Sequence, residues 1–175
     1  MRAKKVKSNC IILTKDDLAC IKSAFNKTKF TNKVKELCGE YVSGGLHRDV
    51  YVLKCNDNFV VKVERNMKNG DFANVCEWRN YINNKEWDWF EKWLSPCELI
   101  SIDGRFLIQR RAYHKDKSEY PKKIPSMFTD TKYKNFGWIG KRFVCLDYSY
   151  IPFFIVKVGG KKMKKAKWWD PDRYY

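Results

Sequence analysis

One lysine constrains this chain more than any other residue. Lys62 stands inside the run Phe59-Val-Val-Lys-Val63, with valines at 60, 61 and 63. β-Branched residues at that density read as a strand. An ammonium within such a run costs burial free energy unless it finds a partner or faces water. The fold must therefore leave this strand at a sheet edge, or bring a carboxylate to Lys62. The sequence supplies a candidate. Beyond a loop at 66–70, residues 71–83 read as a helix, with Phe72, Val75, Cys76, Arg79 and Ile82 giving it a partly apolar face. Glu77 lies mid-helix, fifteen residues after Lys62. A strand end, a short loop and half a helix span that spacing. The alternative reading of Glu77 is an exposed helix acid.

The neighbouring segments read as more strands and helices. Thr14 followed by Asp16, Asp17, Leu18, Ile21 and Phe25 predicts a capped helix ending near Asn26. A second short helix is expected over 31–38, stopped by Gly39. Tyr41-Val42 is a short strand and Ser43-Gly44-Gly45 a turn. Val50 to Leu53 is a strand, and Asn56-Asp57-Asn58 turns it into the Lys62 strand. Trp87, Trp89, Phe90 and Trp93 form an aromatic core segment, ended by Ser95-Pro96. Residues 97–102 and 105–109 form a hairpin about a two-residue Asp103-Gly104 turn. Residues 113–125 are polar and lysine-rich and read as a linker. Phe136 to Ile139 and Arg142 to Leu146 form a last hairpin about Gly140-Lys141, and residues 151–158 suit a further strand.

Composition limits the class of protein. No apolar run approaches the roughly 20 residues that span a bilayer. Seven cysteines are spread singly, with no C-x-x-C pair. They read as reduced thiols, and with no signal peptide recognisable they predict a cytoplasmic, reducing location. The net charge of +16 predicts a polyanionic partner: nucleic acid, nucleotide phosphate or an acidic protein. The charge is partly concentrated in the first seven residues and in Lys157 to Lys167, ahead of a basic tail from Lys161 to Trp169. Lysines mixed with Trp168 and Trp169 suit single-stranded nucleic acid, where cations follow phosphates and rings stack on bases. The other reading is a solvated terminus whose tryptophans tuck onto the domain.

The stretch Asp130-Thr-Lys-Tyr-Lys-Asn135 precedes the last hairpin, and Asp147 follows it. The hairpin would bring Asn135 and Asp147 together at one end, where a shared metal could bridge them. Asp130 to Asn135 resembles the D-x-K-x-x-N catalytic loop of the protein-kinase-like superfamily, and Asp147-Tyr-Ser149 sits where that family has D-F-G. Val60-Val61-Lys62 is similar to its V-A-I-K strand. The departures are Phe128-Thr129 before the catalytic aspartate, Ser149 for glycine, and Ser43-Gly44-Gly45 for the glycine-rich loop.

The resemblance implies an α+β fold: a kinase-like small lobe of five antiparallel strands and one main helix, with a minimal second lobe. Its bounds are an extension at 1–38, a first lobe at 39–112, a reduced second lobe at 113–158 and a basic tail at 159–175. It is most similar to the compact, truncated kinase-like proteins of some bacteriophages. It implies ATP and Mg²⁺ as cofactors and phosphoryl transfer to a hydroxyl. Asp130 would position or deprotonate the acceptor, and Lys132 would face the phosphates. Lys62, oriented by Glu77, would neutralise phosphate charge, and Asn135 and Asp147 would hold Mg²⁺. Gly44 and Gly45 would cover the phosphates, while Gln109 and Arg110 would form the adenine-binding hinge. The acceptor stays open, a host protein among the possibilities. The alternative is an inactive, pseudokinase-like scaffold that binds nucleic acid or an acidic protein through its basic surface.

Overall fold

The computed structural model describes residues 12–65, 72–84, 88–151 and 161–170. The basic N-terminus at 1–7, Cys10, Trp87 and the strand expected at 151–158 lie wholly or largely outside these residues. The architecture is α+β. Five antiparallel strands form one sheet: β1 (Cys38–Gly44), β2 (Arg48–Leu53), β3 (Phe59–Glu64), β4 (Cys97–Ile100) and β5 (Phe106–Arg110). Their spatial order is β1-β2-β3-β5-β4, so β3 is central and has strand neighbours on both sides.

Helices α1 (Lys15–Phe25) and α2 (Phe30–Leu37) cover one face of this sheet. The cap of α1 forms as its sequence dictates. Asp17 N–H donates to Thr14 Oγ1 at 3.1 Å, and Thr14 N–H donates to Asp17 Oδ2 at 2.9 Å. Each side chain thus satisfies a backbone donor at the helix start. Ile21, Ala24 and Leu37 then close over Leu53, Phe59, Val61, Phe106 and Ile108. Gly39 does not stop α2 in the expected way. The helix ends at Leu37 and Gly39 lies inside β1. A Cβ there would meet the Val52 carbonyl at 3.2 Å, so the position serves close strand packing.

On the other face lie α3 (Ala73–Asn84), the short α4 (Asp88–Glu91) and a second hydrophobic cluster. This cluster joins Phe90, Leu94, Tyr120, Ile124, Phe128, Phe136, Phe143 and Tyr148. It includes the hairpin β7 (Phe136–Ile139) and β8 (Arg142–Cys145), and a ribbon of β6 (Lys123–Pro125) with β9 (Met163–Lys165). Gly140, at φ 59°, makes the β7–β8 turn possible.

Three expectations change here. Residues 113–125 are no simple linker: Tyr120 and Ile124 are core residues, and β6 forms within the segment. The tail is not a free terminus over its described part. It pairs through β9, and Trp168 packs against Tyr120, Phe136 and Phe143 while donating Nε1–H to Pro121 O at 3.0 Å. These contacts hold the half-buried Trp168 indole against the domain, and of the pair Trp169 is the more exposed. The β4–β5 connection is longer than two residues. Ser101 Oγ caps Phe106 N–H and donates to Asp103, drawing residues 101–105 into a tight loop with Gly104 at φ 71°.

Candidate functional site

Lys62 is not an edge lysine. Its strand position pairs with Val50 on one side and Leu107 on the other, and its residue is 4% exposed. The ammonium is 2.9 Å from both Glu77 oxygens and also donates to the Leu146 carbonyl. Glu77 is wholly buried. Helix α3 therefore turns opposite to the expectation from its apolar residues. Ala73, Asn74, Glu77, Tyr81 and Asn84 face inward, while Phe72, Cys76 and Ile82 are exposed. The physical reason is the cation in the sheet. An unpaired ammonium in that interior costs more than the apolar contact surrendered by Phe72 and Ile82.

A second cation completes the network, and the motifs gave no notice of it. Arg48, the first residue of β2, is 8% exposed. Its Nη1 donates to Glu77 Oε2 and to Asn74 Oδ1, and its Nη2 donates to Asp147 Oδ1 at 2.8 Å. Burial opposes the guanidinium charge, but Glu77 and Asp147 outweigh it and hold Arg48 above its ordinary pKa. One sequence signal was available. Val50 lies directly opposite Lys62, so Arg48, two residues from Val50, must share Lys62's face of the sheet. Gln109 adds a third partner to Glu77, donating from Nε2 at 3.1 Å.

The second group of expected residues also assembles. Asp130 Oδ2 accepts from Lys132 Nζ at 3.0 Å and from Asn135 Nδ2 at 2.9 Å. A 3₁₀ turn at Tyr133–Asn135 makes this spacing local. Leu146 N–H donates to Asn135 O at 2.7 Å, which ties the far end of β8 to this turn. The hairpin thus brings Asn135 and Asp147 to one end, as its sequence implies. Asp130, Asn135 and Asp147 line one recess of about 90 Å³.

The Asp147 loop is held from three directions. Asn80 Nδ2 of α3 donates to the carbonyls of Tyr148 and Ser149 at 2.8 and 3.1 Å. Tyr148, buried, donates its hydroxyl to Ser95 O at 2.6 Å. Ser149 Oγ donates to Asp147 Oδ1 at 3.0 Å. Burial acts to raise the Asp147 pKa, but Arg48, Lys62 and the Ser149 hydrogen bonds outweigh it and hold the carboxyl below its ordinary value. It is an anion at neutral pH, and its side chain keeps 48% of its exposure.

Between the sheet and the second cluster lies a cleft of about 410 Å³. Lys62, Arg48, Asp147 and Asn135 line its inner part, and Val50 and Val60 give it an apolar roof. Gly44 and Gly45 form its lip, although β1 runs on through Gly44 and the turn falls at 45–47. Residues 109–114 form the opposite wall. Within that wall the Gln109 side chain is turned into the Glu77 network, and Arg110 Nε donates to Glu98 at 2.6 Å. Their main chains are engaged as well: Arg110 N–H donates to Pro96 O at 2.9 Å, Arg110 O accepts from Ser95 Oγ at 2.8 Å, and Gln109 sits in the sheet ladder between Val60 and Cys97.

Oxygen donors suited to a hard divalent ion are present. Asn135 Oδ1 takes no hydrogen bond among the described residues, and Asp147 is an accessible carboxylate beside it. No cluster of three or more His, Cys, Asp or Glu side chains fit to hold a metal occurs among the described residues. The pair therefore fits an ion that keeps several waters or ligand oxygens, as Mg²⁺ does. No protein-family model matches the chain, and no curated protein matches it either. Among the described residues no helix is long and apolar enough to cross a membrane.

Proposed function

We propose that this chain is a compact kinase-like phosphotransferase that binds ATP in the 410 Å³ cleft and transfers its terminal phosphoryl group to a hydroxyl. One observation carries the reading: Lys62, held by buried Glu77, opens onto the same cleft as Asp147 and Asn135, and Asp130 lines the adjoining recess that shares those two residues. The strand order β1-β2-β3-β5-β4 with a helix beside β3 supports it. In this mechanism Lys62, fixed by Glu77, faces the phosphates and offsets their charge. Asp130 orients the acceptor hydroxyl and takes its proton as the oxygen bonds to the γ-phosphorus. The bond from that phosphorus to the β–γ bridging oxygen breaks, and ADP leaves. Lys132, already 3.0 Å from Asp130, offsets charge on the phosphoryl oxygens in flight. Asn135 and Asp147 would hold Mg²⁺, which supplies further charge neutralisation to the phosphates.

The test is thermal unfolding with and without excess Mg·ATP, run on the native chain and on Asp147→Asn. Ligand at about 100 times its dissociation constant stabilises by roughly 2.7 kcal/mol, a shift of a few degrees at this size. The expected result is a shift in the native chain that shrinks in the variant. No shift in the native chain sinks the proposal. Asp130→Ala should abolish transfer while retaining the shift.

A second reading rests on a different surface. Lys123 lies directly opposite Lys165 in the β6–β9 ribbon, flanked by Lys122, Lys161, Lys162, Lys164 and Lys167. Among the described residues none of these lysines forms an ion pair. Like charges paired across a ribbon are destabilising, so the strip suits a polyanion such as nucleic acid. In this reading the chain is an inactive kinase-like scaffold. Its affinity for DNA or RNA should fall steeply with salt, and salt-independent or absent binding counts against it.

A further inference from the structure

Arg48 does something the kinase-like reading does not require. Its guanidinium bridges α3 and the Asp147 loop from the first residue of β2. It lines the cleft beside Lys62. Five N–H groups are available on an arginine. Two on Nη1 go to Glu77 and Asn74 and one on Nη2 goes to Asp147, while the second Nη2–H and the Nε–H take no partner among the described residues. The inner cleft therefore holds two cations, Lys62 and Arg48, against two carboxylates, Glu77 and Asp147. These charges balance with no ion added.

We infer that Arg48 is a resident phosphate-binding cation, and that the cleft binds a nucleoside triphosphate without needing a divalent metal. The inference rests on the nucleotide reading above. Without Arg48 the cluster of Lys62, Glu77 and Asp147 would carry a net negative charge at the floor of the cleft, which would oppose a triphosphate there. With Arg48 the phosphates meet an ammonium and a guanidinium that the fold has already oriented. The planar guanidinium suits phosphate oxygens, and its two remaining donors are those a phosphate can take. Asp147 already pairs with this cation. A divalent ion on the same carboxylate would sit beside a fixed positive charge, which weakens its binding there. Metal therefore serves the transfer step, while Arg48 and Lys62 serve nucleotide binding.

The experiment is calorimetric titration of the full chain with ATP, once in EDTA and once in excess Mg²⁺. The expected dissociation constants differ by less than about tenfold, because the two resident cations supply most of the attraction. Arg48→Met, close in length and uncharged, should weaken ATP binding in EDTA by about ten- to a hundredfold and make it depend on Mg²⁺. Arg48→Lys should restore part of the loss, since charge returns without the planar fork. Far-UV circular dichroism and a cooperative melt establish that each variant is folded. The comparison within the native chain needs no variant. Native binding that vanishes in EDTA overturns this inference and leaves the proposed function standing. Arg48→Met binding equal to native in EDTA also overturns it. No ATP binding by the native chain in either buffer overturns the proposed function and this inference together.

Discussion

The two sides of the cleft hold their charges in opposite ways. On the sheet side, Lys62, Glu77 and Arg48 have side chains only 5%, 0% and 8% exposed, and each contacts at least two others. On the hairpin side, Asp130 and Lys132 have side chains 47% and 30% exposed and meet in a local pair two residues apart. The first arrangement is rigid because a buried charge tolerates no other position. The second is accessible, so water and a substrate can compete for its groups. In the proposed function these two conditions suit a binding floor and a reacting edge respectively.

The contrast breaks most sharply at Glu77. Glu77→Ala leaves Lys62 and Arg48 buried without their shared anion, and should cost about 3–5 kcal/mol in denaturant unfolding. A cost under about 1 kcal/mol would mean that water reaches the network and that the sheet side is no more fixed than the hairpin side. Phe136→Ala removes a fully buried ring that stacks on Phe143 at 5.6 Å and should cost about 3–5 kcal/mol. That loss comes from packing, whereas the Glu77 loss comes from buried charge left without its partner.

Lys62→Met sharpens the comparison further. Arg48 and Gln109 still hold Glu77, so stability should fall less than in Glu77→Ala, while the ATP-dependent thermal shift disappears. Retention of that shift would remove Lys62 from the binding floor. Asp130→Ala should change stability by no more than about 1 kcal/mol, as exposed pairs do. Its effect should appear in transfer activity alone.

The smallest expected effect is pH-dependent and lies away from the cleft. The Asn56 side chain, 2.8 Å away, and the Thr14 contacts hold Asp17 below its ordinary pKa despite burial. A depressed acid stabilises above its unfolded pKa of about 3.9 and loses that stabilisation as pH falls through its folded value. Asp17→Asn should therefore show a flatter stability profile below about pH 4 than the native chain. Identical slopes would show that Asp17 does not contribute to acid sensitivity.

Much of the cleft was legible in the sequence because its signals are local. Lys62 inside a valine run demanded a partner, and Glu77 lay within reach of one loop and half a helix. Asp130, Lys132 and Asn135 fall within six residues, and one hairpin returns the chain to Asp147. Each of these distances is set by backbone geometry over a short stretch. The orientation of α3 was not legible, because its apolar residues suggest the wrong inward face. Arg48 was hidden for a related reason: its partners are 26, 29 and 99 residues away.

The sequence by itself determined the five strands of the main sheet, the cap of α1, the β7–β8 turn and the demand for a carboxylate near Lys62. Only the tertiary structure decided that α3 turns its polar side inward, that Arg48 joins the network, and that Trp168 packs onto the core. The physical reason is desolvation. A helix or a tail has no preference among its faces until a neighbour removes water from one of them. The groups that then lose water must find their partners from wherever the fold brings them.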